Sequence, residues 1–112
     1  MGFDSLALFE SQVDRLSEAQ FLLLFWSAKS ESCSVKYNLT NFFDDLKFLG
    51  ITRTKQTAIS VIDSVASLCF IELRDERNRK NVYITHYGAK ALAMLVESRR
   101  FETRDSSFLE GC

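Results

Sequence analysis

Residues 49–92 read LGITRTKQTAISVIDSVASLCFIELRDERNRKNVYITHYGAKAL, and the hydrophobic period changes twice along them. Leu49-Gly50 closes one helix, with Gly50 just past its last turn, where a left-handed residue is favoured. Ile51 to Thr54 is a short turn, and Thr54 is a good N-cap for a helix from Lys55 to about Leu68. Ala58, Ile59, Ile62, Val65, Ala66 and Cys69 fall on its inward side, so Cys69 is expected to be buried as a small apolar residue. The outward side is polar and lightly charged. From Phe70 the period drops to two, giving a strand to Arg74. Arg74 to Asn81 reads as a charged loop, and Val82 to Thr85 as a second strand. Thr85 then caps a last helix, on which Ala89, Leu92, Leu95 and Val96 form a stripe.

Upstream, Leu6, Phe9, Val13 and Leu16 mark a first helix over Phe3 to Leu16. Ser17 with Gln20 has capping-box spacing, and Leu16 with Phe21 is placed as the hydrophobic staple. The helix that follows, Glu18 to about Lys29, is apolar nearly all round and should be central, with serine-rich Ser30 to Ser34 ending it. Asn38 or Thr40 starts the next, whose stripe is Leu39, Phe42, Phe43, Leu46 and Leu49. Phe21, Phe25, Phe42, Phe43 and Phe48 are read as core, and Phe3, Phe9 and Phe101 as surface for a dimer seam. The fold class is therefore mainly α with a small β-hairpin (α+β). One domain covers residues 1–101, and 102–112 is expected to be a flexible tail.

Composition narrows the function. The chain has 112 residues, 46% hydrophobic and 26% charged, which excludes wholesale disorder. Its longest apolar run, Phe21 to Trp26, is far short of a membrane span, and Asp4 and Glu10 do not suit an export signal. A cytoplasmic protein is expected. Net charge is −1, but unevenly spread: residues 51–100 carry nine bases against five acids, between acidic ends. Three cysteines without metal-site spacing read as reduced thiols, Cys112 without evident role. A single histidine, His86, leaves no metal set to assemble. Asp44 and Asp45 point about 100° apart on a helix and cannot serve one substrate as an acid/base pair. Phosphate-loop and nucleophile-elbow motifs are missing too. A non-enzyme without cofactor or metal is expected.

Helix, helix, turn, helix and charged hairpin follow the winged helix-turn-helix plan, in which a helix enters the DNA major groove and the hairpin flanks it. On that plan Arg53, Lys55, Arg74, Arg79 and Lys80 neutralise phosphates. Thr54, Gln56, Thr57 and Ser60 face base edges, and Gln56 suits the N6 and N7 of adenine.

Asp75-Glu76-Arg77, followed by Ile84-Thr85-His86-Tyr87-Gly88-Ala89-Lys90-Ala91-Leu92, resembles the D-x-R and L-T-x-x-G-x-x-x-L markers of the MarR family of bacterial transcription regulators. Leu16-Ser17-Glu18-Ala19-Gln20-Phe21 is similar to the opening of that family's central helix, and the likeness covers residues 16–97. Departures are Ile84 in place of Leu, Cys69 where Gly is usual, a longer turn before Thr54, a longer hairpin and a short chain, closest in size to the staphylococcal accessory regulators. The resemblance implies a homodimer on a pseudo-palindromic operator. It implies Arg77 as the wing-tip residue in the minor groove and Asp75 as its support. Dimerisation through the terminal helices would use Leu6, Phe9, Val13, Leu92, Leu95 and Val96. Two rivals remain: a winged-helix protein-interaction module without DNA binding, and a regulator switched by the Cys33 thiol, near Lys29 and Lys36 in sequence. The operator and any small-molecule effector stay open.

Overall fold

Four side chains set the helix starts. In the computed structural model, which describes residues 5–110, α2 (Glu18–Ser32) opens on a capping box: Ser17 Oγ accepts from the Gln20 N–H, and Gln20 Oε1 accepts from the Ser17 N–H at 2.7 Å. Gln20 also donates from Nε2 to Ser64 Oγ at 2.9 Å, tying α2 to α4 (Lys55–Ser67). Asn38 and Asn41 form a second reciprocal box at the start of α3 (Leu39–Phe48), and Thr54 caps α4. Thr85 caps α5 (His86–Ser98), accepting from the Gly88 N–H at 3.1 Å. Helix α1 spans Ser5–Asp14; Phe3 and Asp4, expected in it, and Cys112 lie outside the described residues.

Helix α2 runs three residues past Lys29. Ser27 and Ser30 do not break it, because their hydroxyls donate back to the Leu23 and Ser27 carbonyls at 2.6 and 2.8 Å and satisfy themselves inside the core. Phe21 to Leu24 and Trp26 are wholly buried, which makes α2 the central helix.

Among the described residues the architecture is α+β, five helices and one three-stranded antiparallel sheet. The sheet order is β1-β3-β2, with β1 (Tyr37–Asn38) pairing β3 (Arg79–Ile84), and β3 pairing β2 (Ile71–Glu76). Arg74 to Asn81 is thus not a loop. Both strands run through it to a two-residue turn, Arg77-Asn78, with φ of +51° and +64°. Two left-handed residues match the right-handed twist of the strands, and Asn tolerates that conformation better than most.

Several expectations for individual side chains are corrected. Phe48 is 83% exposed: it sits six residues beyond Phe42, about 240° round the helix, off the buried stripe. Cys69 is exposed, because the chain leaves α4 there at φ +64° to enter β2. Phe101 packs on Phe21, 5.4 Å between ring centroids, within the same chain. Val13 and Leu95, assigned to a dimer seam, are each 2% exposed in this chain's own core. Phe9 packs edge-on to Phe70, and Leu92 is half-buried; Leu6 and Val96 remain exposed.

The expected free tail is instead laid onto the body. Leu109 is 1% exposed, and Trp26 Nε1 donates to the Arg104 carbonyl at 2.8 Å. Asp45 of α3, itself 2% exposed, accepts four bonds: from Tyr37 Oη at 2.6 Å, from Ser106 Oγ, and from the Ser107 N–H and Oγ at 3.1 and 2.9 Å. An irregular segment can be buried when its polar groups find partners, and one carboxylate supplies them here. Burial, with Asp45 alongside, pushes the Tyr37 hydroxyl far above its usual value, so Tyr37 stays a donor.

Candidate nucleic-acid interface

Helix α4 begins in the open. Arg53, Thr54, Lys55, Gln56, Thr57 and Ser60 are all exposed, while Ala58, Ile62 and Val65 fix the opposite side of the helix in the core. Thr52, 8% exposed, accepts from the Thr54 N–H at 3.2 Å and shapes the entry. Thr54 and Thr57 hydroxyls bond each other at 2.8 Å, so their geometry is set in advance of any ligand. The first turn of a helix leaves N–H groups directed outward, which favours anions.

The hairpin comes alongside. Lys55 from α4 and Arg79 and Lys80 from β3 border one open cleft of about 510 Å³, together with Asn41 and Asp44 of α3 and Phe108 of the C-terminal segment. Cations from two elements thus share a surface around a single carboxylate. Across the hairpin, Arg77 and Arg79 border a second cleft of about 430 Å³ with Lys36 and Glu76. Arg53, Thr54, Gln56, Thr57 and Ser60 lie outside both clefts, on the exposed entry and face of α4.

Arg74 is diverted. Its guanidinium lies 4.4 Å over the Tyr83 ring and pairs with Glu72 at 3.2 Å, which holds it along the hairpin. The Asp75 side chain, expected to steady the hairpin, makes no hydrogen bond or ion pair among the described residues. Glu76 does that work on the other face of β2. Its Oε1 accepts from Asn81 Nδ2 at 2.9 Å and from the Tyr83 hydroxyl, and its Oε2 pairs with Lys36 at 3.6 Å. The Tyr83 hydrogen bond, then that of Asn81, hold the Glu76 carboxyl below its usual range, and the same bond raises the Tyr83 hydroxyl.

A depressed carboxyl pKa stabilises the folded form above the unfolded value of about 4.3 and loses that contribution as pH falls through the folded value. The protection factors of the β2 and β3 amides, with the intrinsic pH dependence of exchange divided out, should therefore fall below about pH 4.3, and Glu76→Gln should remove most of that acid sensitivity. An unchanged pH profile in the variant would show that Glu76 is not the support.

Lys36, Glu76, Asn81, Tyr83 and Phe108 escape sequence reasoning. Once Arg77-Asn78 is taken as the turn, Glu76↔Arg79, Arg74↔Asn81 and Glu72↔Tyr83 follow as cross-strand partners, so turn chemistry is the signal that finds three of them.

Elsewhere, Leu6 and Phe9 of α1 with Tyr87, Ala93 and Met94 of α5 border an apolar groove of about 490 Å³. Cys33 is half-buried at the C-cap of α2. No group of three or more His, Cys, Asp or Glu among the described residues stands together to hold a metal, and no helix among them is long and apolar enough to cross a membrane. No protein-family model matches the chain, and comparison with curated proteins and with solved structures finds no match either.

Proposed function

We propose that the chain is a cytoplasmic transcription regulator of winged helix-turn-helix type that binds double-stranded DNA as a homodimer. The observation that carries this reading is the meeting of Lys55 from α4 with Arg79 and Lys80 from the hairpin around one open cleft, beside an exposed helix start. Phosphate neutralisation by these cations and Arg53 supplies affinity, and Gln56, Thr57 and Ser60 read base edges. Arg77 at the hairpin turn enters the minor groove; Arg74, stacked on Tyr83, stiffens the hairpin more than it contacts DNA. The apolar groove between α1 and α5, with exposed Leu6 and Val96, supports a second copy seated there.

Selection of bound duplexes from a random pool, followed by titration across ionic strength, tests this directly. Enrichment of a two-fold symmetric site, with affinity falling steeply as salt rises, is expected. Arg77→Ala should weaken the selected duplex by about tenfold at matched salt without lowering the unfolding midpoint. The near-neutral net charge of −1 favours the rival reading, a protein-interaction module. Absence of duplex binding at low ionic strength decides for that rival.

A further inference from the structure

The second cleft is bordered by a residue that holds an acceptor with no donor. Asn81 borders it and is 3% exposed. Its Nδ2 is committed to Glu76 Oε1 at 2.9 Å, and this fixes the amide, since turning it over would set Oδ1 against a carboxylate oxygen. Asn81 Oδ1 is the one buried side-chain polar atom without a partner among the described residues. The same cleft is bordered by Lys36, Arg77 and Arg79, against the single carboxylate of Glu76. Three cations and one anion leave an excess of two positive charges, matched by a dianion. The unpaired oxygen asks in addition for a hydroxyl or amino proton.

We propose that this cleft binds a small oxyanion that brings its own hydroxyl: hydrogen phosphate, or the phosphate ester of a polyol. Lys36, Arg77 and Arg79 take the charge, and Asn81 Oδ1 accepts the hydroxyl proton. A DNA phosphodiester carries one charge and no hydroxyl, so it satisfies neither demand, and the site is chemically distinct from the phosphate contacts of a duplex. Sulfate has the charge and lacks the proton. A site with a buried acceptor discriminates strongly against an analogue that leaves the acceptor unpaired. Where the DNA-binding reading holds, ligand and duplex compete for Arg77 and Arg79; the binding itself does not depend on that reading.

The test is calorimetric titration of the full chain at fixed ionic strength with inorganic phosphate, glycerol 1-phosphate and sodium sulfate in separate arms. At least about tenfold tighter saturable binding of one of the first two than of sulfate is expected, and the tighter of them identifies the source. Arg79→Gln should weaken all three anions. Asn81→Leu should level phosphate and sulfate. Because Asn81 is buried, the wild-type side-chain amide resonance of Asn81 provides a second readout, moving with phosphate or its ester and not with sulfate. Equal affinity for sulfate and both phosphates, or no saturation by either phosphate, overturns the proposal. These outcomes are read without DNA and so leave the duplex result separate.

Discussion

Gly88→Ala should cost about 4 kcal/mol or more and leave little folded protein at 37 °C, against a total stability on the order of 5–15 kcal/mol for a domain of this size. Two effects oppose each other at this position. Gly88 lies in the first turn of α5, where alanine would ordinarily gain about 1 kcal/mol in helix propensity. A Cβ there, however, would stand 1.9 Å from the Phe70 carbonyl oxygen, 2.8 Å from its carbon and 2.9 Å from Ile84 Cγ1. The carbonyl cannot give way, because it accepts from the Thr85 N–H at 3.0 Å while the Thr85 hydroxyl donates to the Cys69 carbonyl at 2.6 Å. Those bonds seat the start of α5 on the start of β2. The clash wins by a wide margin. Gly50→Ala is the matched control: its φ is +76° but its Cβ would meet nothing within 4 Å, so the cost should stay near about 1 kcal/mol. Chemical denaturation of both variants measures the difference. Equal, small losses would show that β2 and α5 are not locked together at this contact.

The marker pattern T-x-x-G around Thr85 and Gly88 was readable as a string; its physical reason is this close approach, which no string contains. What sequence conveys well is local. Ser17, Asn38, Thr54 and Thr85 cap their helices because capping needs only a side chain and the N–H three residues on. Helical stripes show which side of α1 and α5 is apolar, but not what covers it. Val13 and Leu95 are therefore spent inside one chain, while Leu6 and Val96 are left outside. Strand β1 has two residues and no period to detect, and it exists only because β3 offers an edge. At the candidate interface, Lys55, Arg79 and Lys80 were legible as charge following a helix start. The diversion of Arg74 onto Tyr83 was not, since it depends on a register set by the left-handed Arg77-Asn78 turn.

Asp45→Ala should cost about 3 kcal/mol or more and release the C-terminal segment. The carboxylate is buried, and its four donors come from Tyr37 and from Ser106 and Ser107, the latter two 61 and 62 residues away in sequence. Alanine would leave the Tyr37 and Ser106 hydroxyls buried without an acceptor, and unpaired buried donors cost more than the bonds to them contribute when made. Leu109 would lose its place in the core, and the bond from Trp26 to the Arg104 carbonyl would have nothing beyond it to hold the segment down. Trp26 emission should shift to the red, and trypsin should cut after Arg104 at a rate the wild type does not show. The same change reaches the candidate interface. Phe108 leaves the cleft it shares with Lys55, Arg79 and Lys80, so the cations become more accessible even as the body loosens. Under conditions where the variant remains folded, duplex binding should therefore be retained or strengthened while proteolytic resistance falls. Loss of both together would mean that the segment holds α3 and α4 in place for binding; retention of both would remove Asp45 as the anchor.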